Sequence, residues 1–145
     1  MGVVELSDIK VISQKRIQTL GGDVLHGLKK SEDSFVGFGE LYFSFIEKNA
    51  VKAWKCHTRM TMNLMVPIGS VKFVFYNQIN NNTFEFRVEE IGDCNYARIT
   101  VPPGIWFGFE GLADPQSLIV NLADLSHDTN EVKRLSQSDI NYEWT

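Results

Sequence analysis

Glu40-Leu41-Tyr42-Phe43-Ser44-Phe45 alternates residue by residue, with Leu41, Phe43 and Phe45 on one side of an extended chain and Glu40, Tyr42 and Ser44 on the other. That is the two-residue period of a strand, not the 3.6-residue period of a helix. Thr83 to Val88 repeats it, with Phe84, Phe86 and Val88 opposite Thr83, Glu85 and Arg87, and Tyr96 to Val101 does so again. Val51 to Thr58, Asn63 to Val66, Val71 to Tyr76 and Leu118 to Leu122 are short runs of β-branched or aromatic residues bounded by turn formers. Pro67-Ile68-Gly69 and Pro102-Pro103-Gly104 read as turns, Gly21-Gly22 as another, and Asn77 to Asn82 as a polar hairpin tip. Only Asp128 to Ser136 is expected to hold a helical turn or two, with Glu131, Lys133 and Arg134 in solvent. Many short strands with turns close together predict an all-β sandwich or barrel, and a small jelly roll fits the length.

The chain has 145 residues, enough for one domain over 1–145 that buries roughly two-thirds of its unfolded surface. With 43% apolar, 12% aromatic and only 22% charged residues, it carries the apolar surface that ordering requires, and wholesale disorder is excluded. Fourteen Lys and Arg against 18 Asp and Glu leave a net charge of −4, which argues against nucleic acid as a partner, because phosphate affinity comes from excess cations. No apolar run approaches the roughly 18 residues of a membrane span. The start, Met1 to Ser7, is too polar for a signal-peptide core, so a cytoplasmic protein without a membrane partner is expected. Cys56 and Cys94 are then expected as free thiols.

Charge is concentrated in one place. Lys48 to Arg59 carries Lys48, Lys52, Lys55 and Arg59 with no acid. If Val51 to Arg59 is extended, Lys55, His57 and Arg59 share one face while Trp54, Cys56 and Thr58 take the other. Two cations on its own face disfavour a third charge there, leaving His57 an uncharged base beside an anion site. The chemistry this suits is abstraction of a proton next to a carbonyl in a phosphorylated substrate, with the cations holding phosphate or enolate charge. The same residues also describe an exposed edge strand whose charges merely solvate it.

Other chemistries find less support. The three histidines, His26, His57 and His127, form no closely spaced pair, so no metal site is expected. Cys56 and His57 are strand neighbours and point to opposite faces, which disfavours cysteine catalysis. No glycine-rich loop leads from a strand into a helix, so a nucleotide must be held by side chains. The aromatics of Ile105-Trp106-Phe107-Gly108-Phe109 serve either as core filling or as a stacking platform for a sugar or base, and Trp106 is the one expected to face a ligand.

The block Val101-Pro102-Pro103-Gly104-Ile105-Trp106-Phe107-Gly108-Phe109 resembles the Pro-x-Gly-x-x-His-Gly-Phe segment of the dTDP-4-dehydrorhamnose 3,5-epimerase group of cupins. Lys55-Cys56-His57 resembles the Gly-Leu-His strand that carries that group's base. The order of parts agrees along most of the chain, through Gly22-Asp23, the turn at Ile68-Gly69-Ser70-Val71, and the terminal Ile140, Glu143 and Trp144. Gly22 to Gly27, Phe38 to Ser44 and Lys52 to Arg59 are similar to a short subgroup found with capsule and surface-polysaccharide genes. The resemblance implies a cupin jelly roll, a homodimer sharing N-terminal strands, no cofactor and no metal, and a nucleotide-linked 4-keto-6-deoxysugar as substrate.

It further implies that His57 is the catalytic base, that Glu40 and Tyr42 stand where the group has a Gln-x-Asn ligand-binding pair, and that His26 and Lys30 fall near its nucleotide contacts. Trp54 replaces an arginine, so Lys55 and Arg59 are expected to take over the anion contact. Asn63 stands near the place of a lysine, and Asn121 lies in the segment where the group has its proton-returning tyrosine, at the position held here by Val120. Phe107 replaces the group's second histidine, Ser126 a second tyrosine, and no counterpart of the base-orienting aspartate is found before Thr145. Tyr42, Tyr76, Asp124, His127 or a water can take the place of the missing acid. The expected function is an isomerase that epimerises a nucleotide-linked 4-keto hexose by proton abstraction α to the ketone. The alternatives are a 3,4-ketoisomerase, against which His57-Thr58-Arg59 counts where such enzymes have a His-x-His pair, and a cupin that binds sugar nucleotides without turnover.

Overall fold

The computed structural model describes residues 3–80 and 83–144. Among them the chain forms twelve strands: β1 (Lys10–Ser13), β2 (Arg16–Ile17), β3 (Val24–Leu25), β4 (Glu40–Glu47), β5 (Val51–His57), β6 (Met62–Ile68), β7 (Ser70–Asn80), β8 (Thr83–Gly92), β9 (Ala97–Val101), β10 (Trp106–Gly111), β11 (Gln116–Ala123) and β12 (Val132–Arg134). Two sheets, ordered β1-β9-β6-β11-β4 and β12-β5-β10-β7-β8, face each other, and all their pairings are antiparallel. The all-β architecture is the one expected from the two-residue period, and its jelly-roll form is the one the family resemblance implies. A small β2-β3 hairpin stands apart. No helix of the described residues is long and apolar enough to cross a membrane.

The core lies between the sheets. Ile46, Val66, Val71, Phe73, Phe75 and Ile119 fill it, and Leu6 and Ile9 pack against the same cluster. Fully burying a side chain of this kind stabilises the fold by about 1.5–3 kcal/mol. Two tight approaches require glycine: a Cβ at Gly39 would run into the Leu125 backbone, and Gly69 has φ +92° against Ser117.

The alternation of β4 is real, but its faces are reversed from an ordinary amphipathic strand. Tyr42 and Ser44 turn inward, while Leu41, Phe43 and Phe45 are 45%, 60% and 54% exposed on the outside. Polar side chains inside an open barrel line a cavity, and an apolar face outside asks for a cover.

Both sheets carry such covers elsewhere. Over the first, Arg98 is fully buried and reaches the Gly27 carbonyl (2.6 Å) and Glu32 (2.9 Å), while Asn63 Nδ2 donates to the Ser34 carbonyl (3.0 Å). Over the second, Ile140, Tyr142 and Trp144 lie against Trp54 and Val74. There the Lys72 ammonium sits 5.8 and 5.6 Å from the Tyr142 and Trp144 ring centres and 3.2 Å from Glu110.

Several sequence expectations change. The Asp128 to Ser136 segment holds a strand, β12, in place of a helical turn, because Val132 and Lys133 pair with His57 and Cys56. Glu131 is buried, not solvated. β9 is buried on both faces, so its alternation is not an inside-outside pattern. The turn after β6 narrows to Gly69, since Pro67 and Ile68 remain in the strand. The polar tip begins later than expected, with β7 running to Asn80; Asn81 and Asn82 lie outside the described residues. Cys56 and Cys94 are both free thiols.

Candidate active site

The site grows from an irregularity in β5. Its pairing with β10 slips between Phe107 and Gly108, which oppose Lys55 and Ala53, so Trp54 drops out of the alternation. Trp54 turns to the outer cluster, pairs its backbone with Leu135 (3.0 and 3.1 Å) and donates its indole N–H to the Gln137 carbonyl (3.2 Å). Lys52 and Lys55, three residues apart, consequently line the same cavity, and His57 follows two residues on. Facing them are Tyr42 and Asn121 on the opposing sheet, with Phe107 and Phe109 forming a wall. Three clefts of about 130, 310 and 330 Å³ meet at Lys55 and form one trench.

His57 is 9% exposed at the floor of this trench, stacked on Phe107 with ring centres 6.0 Å apart. Its Nδ1 lies 2.6 Å from Glu131 Oε1. Glu131 is 1% exposed, and its other oxygen accepts the backbone N–H groups of Arg59 and Met60, both at 3.1 Å. Burial pushes the Glu131 carboxyl up, but the hydrogen bonds from His57, Arg59 and Met60 outweigh it and hold the group below the usual carboxylate range. Thr58 fixes the same residue from its backbone side, donating N–H (2.8 Å) and Oγ1–H (2.7 Å) to the Glu131 carbonyl. With Nδ1–H given to this anion, the imidazole lone pair falls on Nε2. The charge nearest the ring is therefore a carboxylate and not the pair of cations expected from the alternation.

Across the trench, Asn121 Nδ2 donates to the Tyr42 hydroxyl at 2.8 Å, and Asn121 Oδ1 accepts the Asn63 N–H at 3.1 Å. The Tyr42 hydroxyl keeps its own proton to give. Burial pushes it up, the Asn121 hydrogen bond opposes this, and the Glu40 and Glu131 charges push it further up, so at neutral pH it is a donor and not a phenolate. Glu40 and His127 flank this end, with the His127 N–H on Glu40 at 2.9 Å. Val120, opposite Phe43, faces outward, so any residue at that position would point away from the cavity. Of the candidate acids, Tyr42 and His127 line the trench, while Tyr76 packs on Phe86 in the outer cluster and Asp124 accepts the Thr61 N–H.

The structure thus brings together His57, Lys55, Tyr42, Glu40 and Asn121. It separates the others. Trp106 belongs to the outer cluster because the alternation of β10 sends Phe107 and Phe109 inward. Arg59 is 61% exposed at its side chain and pairs with Asp128 at 3.1 Å, just beyond the end of β5. Asn63 is spent holding Ser34 and accepting the Thr100 hydroxyl at 2.6 Å. His26 and Lys30 lie in the cover over the first sheet, where the His26 carbonyl accepts the Tyr96 hydroxyl. Glu131, Lys52 and Arg134 were missed: parity across a bulge hid Lys52, and Glu131 meets His57 only across 74 residues. An acid immediately before the edge strand that pairs with β5 was the one available signal. Cys56 is buried on the opposite face, and burial pushes its thiol up, so it offers no nucleophile.

Among the described residues, no cluster of three or more His, Cys, Asp or Glu side chains is placed to hold a metal. No protein-family model matches the sequence. Among curated proteins the chain is similar to the "Probable low-salt glycan biosynthesis epimerase Agl13" of Haloferax volcanii, 25% identical over 122 residues that cover 81% of this chain and 75% of that protein. Among solved structures it resembles a dTDP-4-dehydrorhamnose 3,5-epimerase from Sulfolobus tokodaii in fold (TM-score 0.79, 17% identity, 97% of this chain and 84% of that one). It also resembles a dTDP sugar isomerase from Desulfovibrio desulfuricans G20 in both fold and sequence, with TM-score 0.87 and 32% identity over 94% of this chain and 90% of that one. The fold is thus shared with the dTDP-4-dehydrorhamnose 3,5-epimerases, and the chain belongs to the family of the dTDP sugar isomerase.

Proposed function

We propose that the protein is a sugar-nucleotide epimerase of deoxysugar or surface-polysaccharide biosynthesis. His57 Nε2 removes the proton α to the ketone of a nucleotide-linked 4-keto hexose. Glu131 holds the ring and balances the imidazolium that forms. The electron pair moves onto the ketone oxygen as an enolate, whose charge Lys55 stabilises without a metal. Tyr42, on the opposing sheet, then gives its hydroxyl proton to the other face of the carbanion carbon, which inverts the centre; His57 releases the proton it took to solvent, and Tyr42 is reprotonated from solvent. Placing the donor across the trench from the base is what turns exchange into epimerisation.

The observation that carries this reading is the His57–Glu131 pair at 2.6 Å on one wall of a cavity whose other wall holds the Tyr42 hydroxyl. Membership in a family with a dTDP sugar isomerase supports a nucleotide-sugar substrate. The free cysteines suit the cytoplasm as its place of work. The exposed Leu41, Phe43 and Phe45 face suits a homodimer in which a second copy covers it.

Product analysis by NMR after incubation with dTDP-4-keto-6-deoxyglucose tests the proposal. An epimer at C3 or C5 is the expected product. A 3-keto sugar would assign the ketoisomerase reaction instead, and unchanged substrate bound to the protein would leave only a binding role.

A further inference from the structure

Resting on the reading of a nucleotide-linked sugar as substrate, we infer that Lys52, Lys55 and Arg134 are the diphosphate clamp of this site, so that the sugar enters the barrel first and its two phosphates stay in the cleft beside the bulge of β5. That cleft is about 330 Å³ and is lined by those three cations together with Phe107 and Phe109, with no Asp or Glu on its walls. It opens directly onto the cavity of His57 and Tyr42, sharing Lys52, Lys55 and both phenylalanines with it. Anionic charge placed there therefore sits one step outward from the base.

The convergence of the three cations has identifiable structural causes. The bulge puts Lys52 and Lys55 on one face, and β12 pairs with β5 so that Arg134 stands opposite Lys55. None of the ion pairs among the described residues involves Lys52, Lys55 or Arg134. Lys52 Nζ donates to the Phe45 carbonyl at 3.0 Å, which aims it without neutralising it. Burial, then repulsion from Arg134 and Lys52, pushes the Lys55 ammonium down. A bound dianion would relieve that repulsion. Each phosphate of a diphosphate diester carries one negative charge, so three cations match it with one to spare for the developing enolate. Arg59, the cation expected in this role, is committed to Asp128.

The same short strand thus carries Arg134 for the phosphates and follows directly on Glu131 for the base. Binding and chemistry share one element.

Calorimetric titration with thymidine 5′-diphosphate, and with neutral thymidine as control, tests the clamp in the full chain. Lys52→Gln and Arg134→Gln, both at exposed side chains, are each expected to weaken the diphosphate by about tenfold or more while leaving thymidine and the melting temperature unchanged. His57→Asn is expected to bind it within about twofold of the unaltered protein. Inorganic pyrophosphate should compete, and the salt dependence should fall in both Gln variants. Undiminished diphosphate affinity in the Lys52→Gln, Arg134→Gln double variant would overturn the clamp, even where His57-dependent epimerisation persists. Affinity that follows the clamp in a protein that turns nothing over would uphold the clamp and defeat the epimerase reading alone.

Discussion

His57 depends on a partner for its role. The 2.6 Å contact with Glu131 decides which nitrogen carries the proton, and the tautomer decides whether the cavity meets a lone pair or an N–H. His57→Asn should lower turnover by about 10²–10⁴-fold, and Tyr42→Phe by a similar factor if it is the returning acid, in each case with an intact barrel by circular dichroism. Glu131→Gln presents an amide that can donate to Nδ1 and invite the wrong tautomer, so turnover should fall by about 10²-fold or more, with a ¹⁵N imidazole spectrum showing the proton shifted to Nε2. Stability follows a separate sign. The Glu131 carboxyl lies below its ordinary value of 4.5 in the folded protein, so its stabilisation is complete above that value and is lost as pH falls through the lowered one. Urea unfolding at pH 7 and pH 3.5 should differ less in Glu131→Gln than in the unaltered chain.

The site is made by strands that err from regularity. A bulge in β5 brings Lys52 round to Lys55, and three residues of β12 fix Glu131 and Arg134 against the same strand. The tail that follows is held by Trp144, 5.3 Å from the Trp54 ring centre and 4.9 Å from Tyr142. Trp144→Ala should cost about 3 kcal/mol and release β12 before the barrel melts, so that hydrogen exchange rises in 130–144 while β7 and β10 stay protected. These elements also mark where sequence reading succeeds and stops. The alternation of Glu40 to Phe45 and the run from Lys52 to His57 were legible because a strand's period is local, and with them came Tyr42, Lys55 and His57. Parity fails one residue past an unrecognised bulge, which hid Lys52, and it does not say which face of a strand is the inside. Trp106 was favoured over Phe107 for that second reason. Glu131 could not be placed from a polar tail, because its burial comes wholly from distant partners.

At the scale of the molecule, the two sheets enclose an apolar core at one end and a polar trench at the other. Two sheet surfaces are covered by the chain itself, while the outer face of β4 is left apolar and open. Phe43→Glu, at an exposed site, should leave the fold intact and convert the proposed homodimer to a monomer in sedimentation velocity. If the trench is where a carbon acid loses and regains its proton, solvent hydrogen must enter the sugar at the carbon from which His57 takes its proton. Incubation of the protein with dTDP-4-keto-6-deoxyglucose in D₂O, read by mass and NMR, should place deuterium at C3 or C5, and His57→Asn should abolish it. A sugar nucleotide that binds the unaltered protein yet exchanges no hydrogen, or one that exchanges equally well without His57, would contradict the account.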